Sequence, residues 1–217
     1  MHFSIVICTV DLYQEAKNYF LQQWRSDLAS REQNSLIWAY LITQHMHKSW
    51  KTWFSFVEWV YTYEDLYFST SHTWDLLMIA IDTKKVAVDI EYTHPRDASL
   101  LYNINMPHSP YSPWENFYIQ WSAKECLVKF LNLTSMEIHN MSFVSFDPHN
   151  HYVIDEWEFE WVITLRYKWV EYPVRVDIRN GRVMTIIQDT TTQTTTYSSQ
   201  TNSSSSSAPT GMFKPID

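Results

Sequence analysis

A chain of 217 residues with a formal net charge of −8 is long enough to bury a sizeable core and gives no electrostatic support to nucleic-acid binding. Its two glycines, Gly181 and Gly211, exclude a glycine-rich phosphate loop or a dinucleotide fingerprint, so phosphate would have to be held by side chains, helix ends or a metal ion. Cys8 and Cys126 lie in apolar stretches and read as buried thiols, not as a disulfide framework. No apolar run is long enough to cross a membrane, and a cytoplasmic location is the expectation.

Residues 3–10 read as a first strand, and Asp11 as the N-cap of a helix running to Gln23. Ser30 and Gln33 have the spacing of a capping box before a second helix, with Leu36, Ile37, Tyr40 and Leu41 as its apolar stripe. The Trp-rich stretch 45–63 fits strand or helix equally. Residues 66–68, 74–81 and 86–91 read as strands. The turn at 82–85 is so short that its flanking strands are expected to pair antiparallel.

A proline-containing loop covers 103–111. The next helix has the clearest start in the chain: Ser112 as N-cap, Pro113 at N1 and Glu115 at N3, with an end near Leu131. Residues 156–168 alternate strictly, with Trp157, Phe159, Trp161, Ile163, Leu165 and Tyr167 on one face, as in a half-buried antiparallel strand. Asn180-Gly181 is a hairpin turn between strands 174–178 and 183–187. From Asp189 the chain is dominated by Ser and Thr and should be disordered, since it cannot bury enough apolar surface to offset its ordering entropy. The class is α+β.

Two stretches carry chemistry. In the strand Val86-Ala87-Val88-Asp89-Ile90-Glu91, the two carboxylates share one face, roughly 7 Å apart. In the helix Trp121-Ser122-Ala123-Lys124-Glu125-Cys126-Leu127-Val128-Lys129, Trp121, Glu125 and Lys129 share one face. If the helix packs over the acidic end of the strand, three carboxylates and a lysine converge, a set that suits Mg²⁺ bound to a diphosphate. Taken singly these residues have plainer readings: a solvated strand face, and a surface Glu–Lys pair worth about 0.2–0.5 kcal/mol. Trp121, one turn before Glu125, argues that the helix face is covered.

Together with Ser71-His72-Thr73 upstream, these stretches resemble, in order and spacing, the signatures of the 4′-phosphopantetheinyl transferases, the Sfp-type branch in particular. The resemblance is best from Leu66 to Leu131. It implies two pseudo-symmetric α+β halves, 1–98 and 99–188, with the active site between them and the tail 189–217 apart. It implies Mg²⁺ at Asp89, Glu91 and Glu125, and coenzyme A held by Ser71, His72, Lys124 and Lys129, with Arg96 as a further anion contact. Glu125 and Lys129 would be catalytic.

The implied reaction moves phosphopantetheine from coenzyme A to a serine of an apo acyl or peptidyl carrier protein and releases 3′,5′-ADP. The chain would act as a monomer, and the loop 103–111 is the expected carrier contact. The family's glycine before the metal-binding Asp is Ala87 here. Its Gly-Lys-Pro segment is absent from the corresponding residues 58–65. A metal-dependent phosphohydrolase and a non-catalytic carrier-binding descendant are the alternatives.

Overall fold

A computed structural model of the chain describes residues 1–23, 26–30, 32–48, 61–63, 66–102, 104, 106–154 and 157–189. In chain order the elements are β1 (His2–Ile7), α1 (Val10–Gln22), α2 (Ser26–Ala29), α3 (Gln33–Lys48), β2 (Tyr61–Tyr63), β3 (Leu66–Thr73), β4 (Leu76–Asp82), β5 (Val86–Tyr92), α4 (Pro113–Leu131), β6 (Ser142–Ile154), β7 (Trp157–Tyr167), β8 (Val170–Arg179) and β9 (Arg182–Gln188). Two 3-10 helices, Ala98–Leu101 and Ser135–Asn140, flank α4.

Every residue of β4 is buried. A strand with no wet face needs a layer on each side. On one side Leu77, Ile79 and Ile81 pack against Ala16 and Phe20 of α1 and Leu36, Ile37 and Ile42 of α3. On the other, Leu76, Met78 and Ala80 meet Val88, Ile90, Met184 and Ile186 of a second sheet. The far face of that sheet, with Ala87, Val174, Val176, Val183 and Ile187, is covered by Ile119, Ala123 and Leu127 of α4. The layers run helices, sheet, sheet, helix.

The first sheet has the order β1-β4-β3-β2 and the second β5-β9-β8-β7-β6. Each opens with a strand, passes through helix, and closes with antiparallel strands whose last member lies beside the first. The expected pairing across the turn at 82–85 does not form. Both edges of β4 are taken, by β1 and β3, and the turn instead carries the chain into β5, which pairs with β9. The strand holding Asp89 and Glu91 therefore belongs to the second sheet, although it precedes residue 98.

Local signals decided some boundaries and not others. Ser112 and Glu115 form the reciprocal capping box at the start of α4, and Asn132 ends the helix in the left-handed conformation. The first helix is capped by Thr9, whose Oγ1 accepts from the Leu12 N–H at 3.1 Å, and not by Asp11, which becomes a first-turn acid. The Ser30 start is also displaced: α3 begins at Gln33. Asn180-Gly181 is the β8–β9 turn, both residues with positive φ, as expected. Lys168 and Trp169 make the β7–β8 turn in the same left-handed region without a glycine.

The apolar stripe of β7 serves two cores. Ile163, Leu165 and Tyr167 lie under α4, whereas Phe159 and Trp157 lie between the sheets, where both meet the Phe3 ring edge-on at about 6 Å. Pairing of β7 with β8 stops at Trp161, so the remaining β6–β7 hairpin turns toward the first sheet. Residues 49–60, most of the segment 58–65, and the tail beyond Asp189 fall outside the described residues.

Candidate metal centre

Asp89 and Glu91 project from β5 toward α4, as alternation requires, and Glu125 meets them from the helix. Carboxylate oxygens of the three lie within 4.8 Å of one another, so this group could hold a metal ion. The approach of helix to strand is set by small residues and polar pegs. Ser122 and Thr185 hydroxyls lie 2.9 Å apart, and Cys126 Sγ donates to the Ala87 carbonyl at 3.2 Å. Lys129 Nζ donates to the Val88 carbonyl at 3.2 Å and to Asp89 Oδ1 at 2.7 Å.

Ser71 enters from the first sheet. Its hydroxyl donates to Asp89 Oδ1 at 2.7 Å and accepts the Ile90 N–H at 3.3 Å; Ser69 accepts the Val88 N–H at 3.0 Å. The outer edge of β5 is thus closed by serine hydroxyls of β3 instead of a backbone ladder. The acids lie under α4 in the second sheet, and Ser71 is the contribution of the first. They do not face one another across a cleft between two halves.

Asp89 Oδ1 has two donors, but the buried Oδ2 has none. An unsatisfied, almost fully buried carboxylate oxygen beside two further carboxylates is a set of donors that a hard divalent cation could use. The electrostatics agree. Burial, then the charges of Asp89 and Glu125, push Glu91 up to about 7, against smaller opposing effects of Arg96 and a hydrogen bond from Trp121. Burial and the Asp89 charge push Glu125 to about 7, partly offset by Lys129. Burial alone would discharge Lys129, but the Asp89 charge and hydrogen bond overcome it and raise its pKa.

Beside the cluster is a cavity of about 580 Å³ lined by Glu125, Val128, Lys129, Asn132, Leu133, Thr134, Ser135 and Ile138. Glu125 and Lys129 belong to both. The other expected residues divide. His72 is exposed and points to the opposite face of β3 from Ser71. Lys124 is half-buried one residue round the helix from Glu125 and makes no ion pair with the acids. Arg96 is exposed, its Nε 3.2 Å from His94 Nε2 and its guanidinium 5.7 Å from the Tyr118 ring.

Sequence reasoning passed over His94 and Tyr118. Tyr118 is fully buried one turn before Trp121, and its hydroxyl lies 3.1 Å from His94 Nδ1. The available signal was helical spacing: Tyr118, Trp121 and Glu125 follow one another on the face of α4 that meets the end of β5. The Ala87 methyl is buried in the core under α4, so it fills helix-to-sheet packing and not the space around the acids. Compared with known proteins, the chain matches no family model, and no curated protein matches it in sequence.

Proposed function

We propose that the protein transfers 4′-phosphopantetheine from coenzyme A to a serine of an apo acyl or peptidyl carrier protein, with Mg²⁺ held by Asp89, Glu91 and Glu125. One observation carries the reading: three acids, at positions whose order and spacing resemble the phosphopantetheinyl transferase signatures, converge within 4.8 Å beside Lys129 and a cavity. The repeated strand order of the two sheets supports the two-half architecture that the resemblance implies. A single chain supplies every group, which supports action as a monomer.

When bound, the Mg²⁺ ion would neutralise the diphosphate oxygens. Glu125, shared between acids and cavity, is positioned to take the proton of an incoming serine hydroxyl. Lys129 is fixed by Asp89 and the Val88 carbonyl, so its ammonium stays charged at the cavity wall. A lysine held protonated serves as a preorganised countercharge for phosphate more readily than as a proton donor. Ser71 acts on Asp89 and holds its carboxylate toward α4.

The test is mass spectrometry of an apo carrier protein incubated with the chain, Mg²⁺ and coenzyme A. The carrier should gain one phosphopantetheine with the wild type and none with Glu125→Gln. Cleavage of coenzyme A without a carrier would identify a phosphohydrolase, and an unmodified carrier with intact coenzyme A would point to a non-catalytic binding role.

A further inference from the structure

We propose that Trp74, at the turn between β3 and β4, is the platform on which the adenine of coenzyme A stacks. The proposal rests on the transferase reading above. Trp74 is 75 % exposed and has φ 50, a backbone region that disfavours a bulky residue. Little burial offsets that cost. The turn is nonetheless held firmly: the Cys8 N–H donates to the Asp75 carbonyl at 2.6 Å, and the Tyr92 hydroxyl lies 3.4 Å from Asp75 Oδ1. A strained, exposed and fixed aromatic residue is a preorganised binding surface.

Its neighbours specify the ligand class. The Trp74 ring lies 5.4 Å from Tyr92 and 6.3 Å from His94, and His94 lies 5.5 Å from Tyr118. Arginines stand at both ends of this row, Arg182 at 5.2 Å from the Tyr92 ring and Arg96 at 5.7 Å from that of Tyr118. Neither arginine makes an ion pair with a carboxylate among the described residues. The Arg182 Nε is buried without a hydrogen-bond partner. An exposed indole in a ring row flanked by two guanidinium groups suits a planar base that carries phosphates.

Position completes the argument. Tyr118 precedes Trp121 by one turn of α4 and feels the Glu91 charge, so the Tyr118 end of the ring row lies at the acids. The cavity extends from Glu125 and Lys129 toward Asn132 and Ile138. A diphosphate at the acids then sends its nucleoside toward Trp74 and leaves the cavity for the pantetheine arm.

Calorimetric titration of the full chain with Mg²⁺ tests this, using adenosine 3′,5′-bisphosphate, 4′-phosphopantetheine and coenzyme A as separate probes. Trp74→Ala should weaken the bisphosphate and coenzyme A about tenfold, whereas Trp74→Phe keeps most of the affinity. Phosphopantetheine binding should not change in either variant. If wild type and Trp74→Ala bind the bisphosphate equally well, the platform is overturned while the transferase reading stands. If the wild type binds neither coenzyme A nor the bisphosphate, both are overturned.

Discussion

The Ser71 hydroxyl donates to Asp89 Oδ1 at 2.7 Å across the joint between the two sheets, and Ser71 Oγ in turn accepts the Ile90 N–H. Ser71→Ala removes a donor from a buried carboxylate and leaves a buried amide unpaired. The expected cost is about 1–3 kcal/mol of stability, measured by urea unfolding. Because the hydroxyl orients a carboxylate proposed to bind the metal, Mg²⁺ affinity should fall at least about tenfold in a calorimetric titration. Ser71→Thr, which keeps the hydroxyl, should recover most of both.

Lys129 and Asp89 form a buried ion pair, their side chains 11 % and 2 % exposed. Removing the cation strands the carboxylate in the interior. Lys129→Met should therefore destabilise the metal-free protein by about 3–5 kcal/mol, read from denaturant midpoints. Part of this loss should return when Mg²⁺ is added, because the ion supplies the missing positive charge.

The acid cluster predicts an unusual pH profile. Glu91 and Glu125 rise from 4.5 to about 7 on folding. Between those values the folded, metal-free protein holds more protons than the unfolded chain, so its stability falls as pH rises and levels off above about 7. Lys129, raised above its ordinary value, stays charged throughout and adds no slope there. Melting temperatures between about pH 5 and about pH 8 should decline without Mg²⁺, and the gain on adding Mg²⁺ should grow over the same interval. A gain that does not vary with pH would contradict the assignment of these acids as ligands.

Cys126 lies fully buried under α4, where burial and then the Asp89 charge push its thiol up to about 12. Cys8 is likewise buried, and burial and then Asp75 raise its pKa. Since the thiolate is the reactive form, iodoacetamide should leave both unmodified in the native protein at neutral pH. Mass spectrometry should find both alkylated once urea is present.

What could be read in the sequence followed the range of the interaction. The α4 start was legible because Ser112, Pro113 and Glu115 cap the helix locally. The convergence of Asp89, Glu91 and Glu125 was legible because strand and helix periods fix each set, and a single packing contact joins them. The Ser71–Asp89 contact was not, since it depends on how two sheets abut. The divergence of Ser71 and His72 was available in principle, because adjacent strand residues point opposite ways. The failed pairing of β4 and β5 had a signal too: Leu76 to Ile81 is apolar without alternation, the mark of a strand covered on both faces. The Lys168-Trp169 turn carries no glycine and left no trace.

The meeting of Phe3 with Trp157 and Phe159 bears on how the molecule is made. While the ribosome is still synthesising β5, the inner face of the first sheet, with Phe3, Leu76 and Met78, has no partner and stays wet. Val88 and Ile90 of β5 cover part of it, and the cover is complete only after residue 159 and the strands that follow have emerged. The core between the sheets is therefore completed late in synthesis, and the first sheet does not bury its inner face by itself.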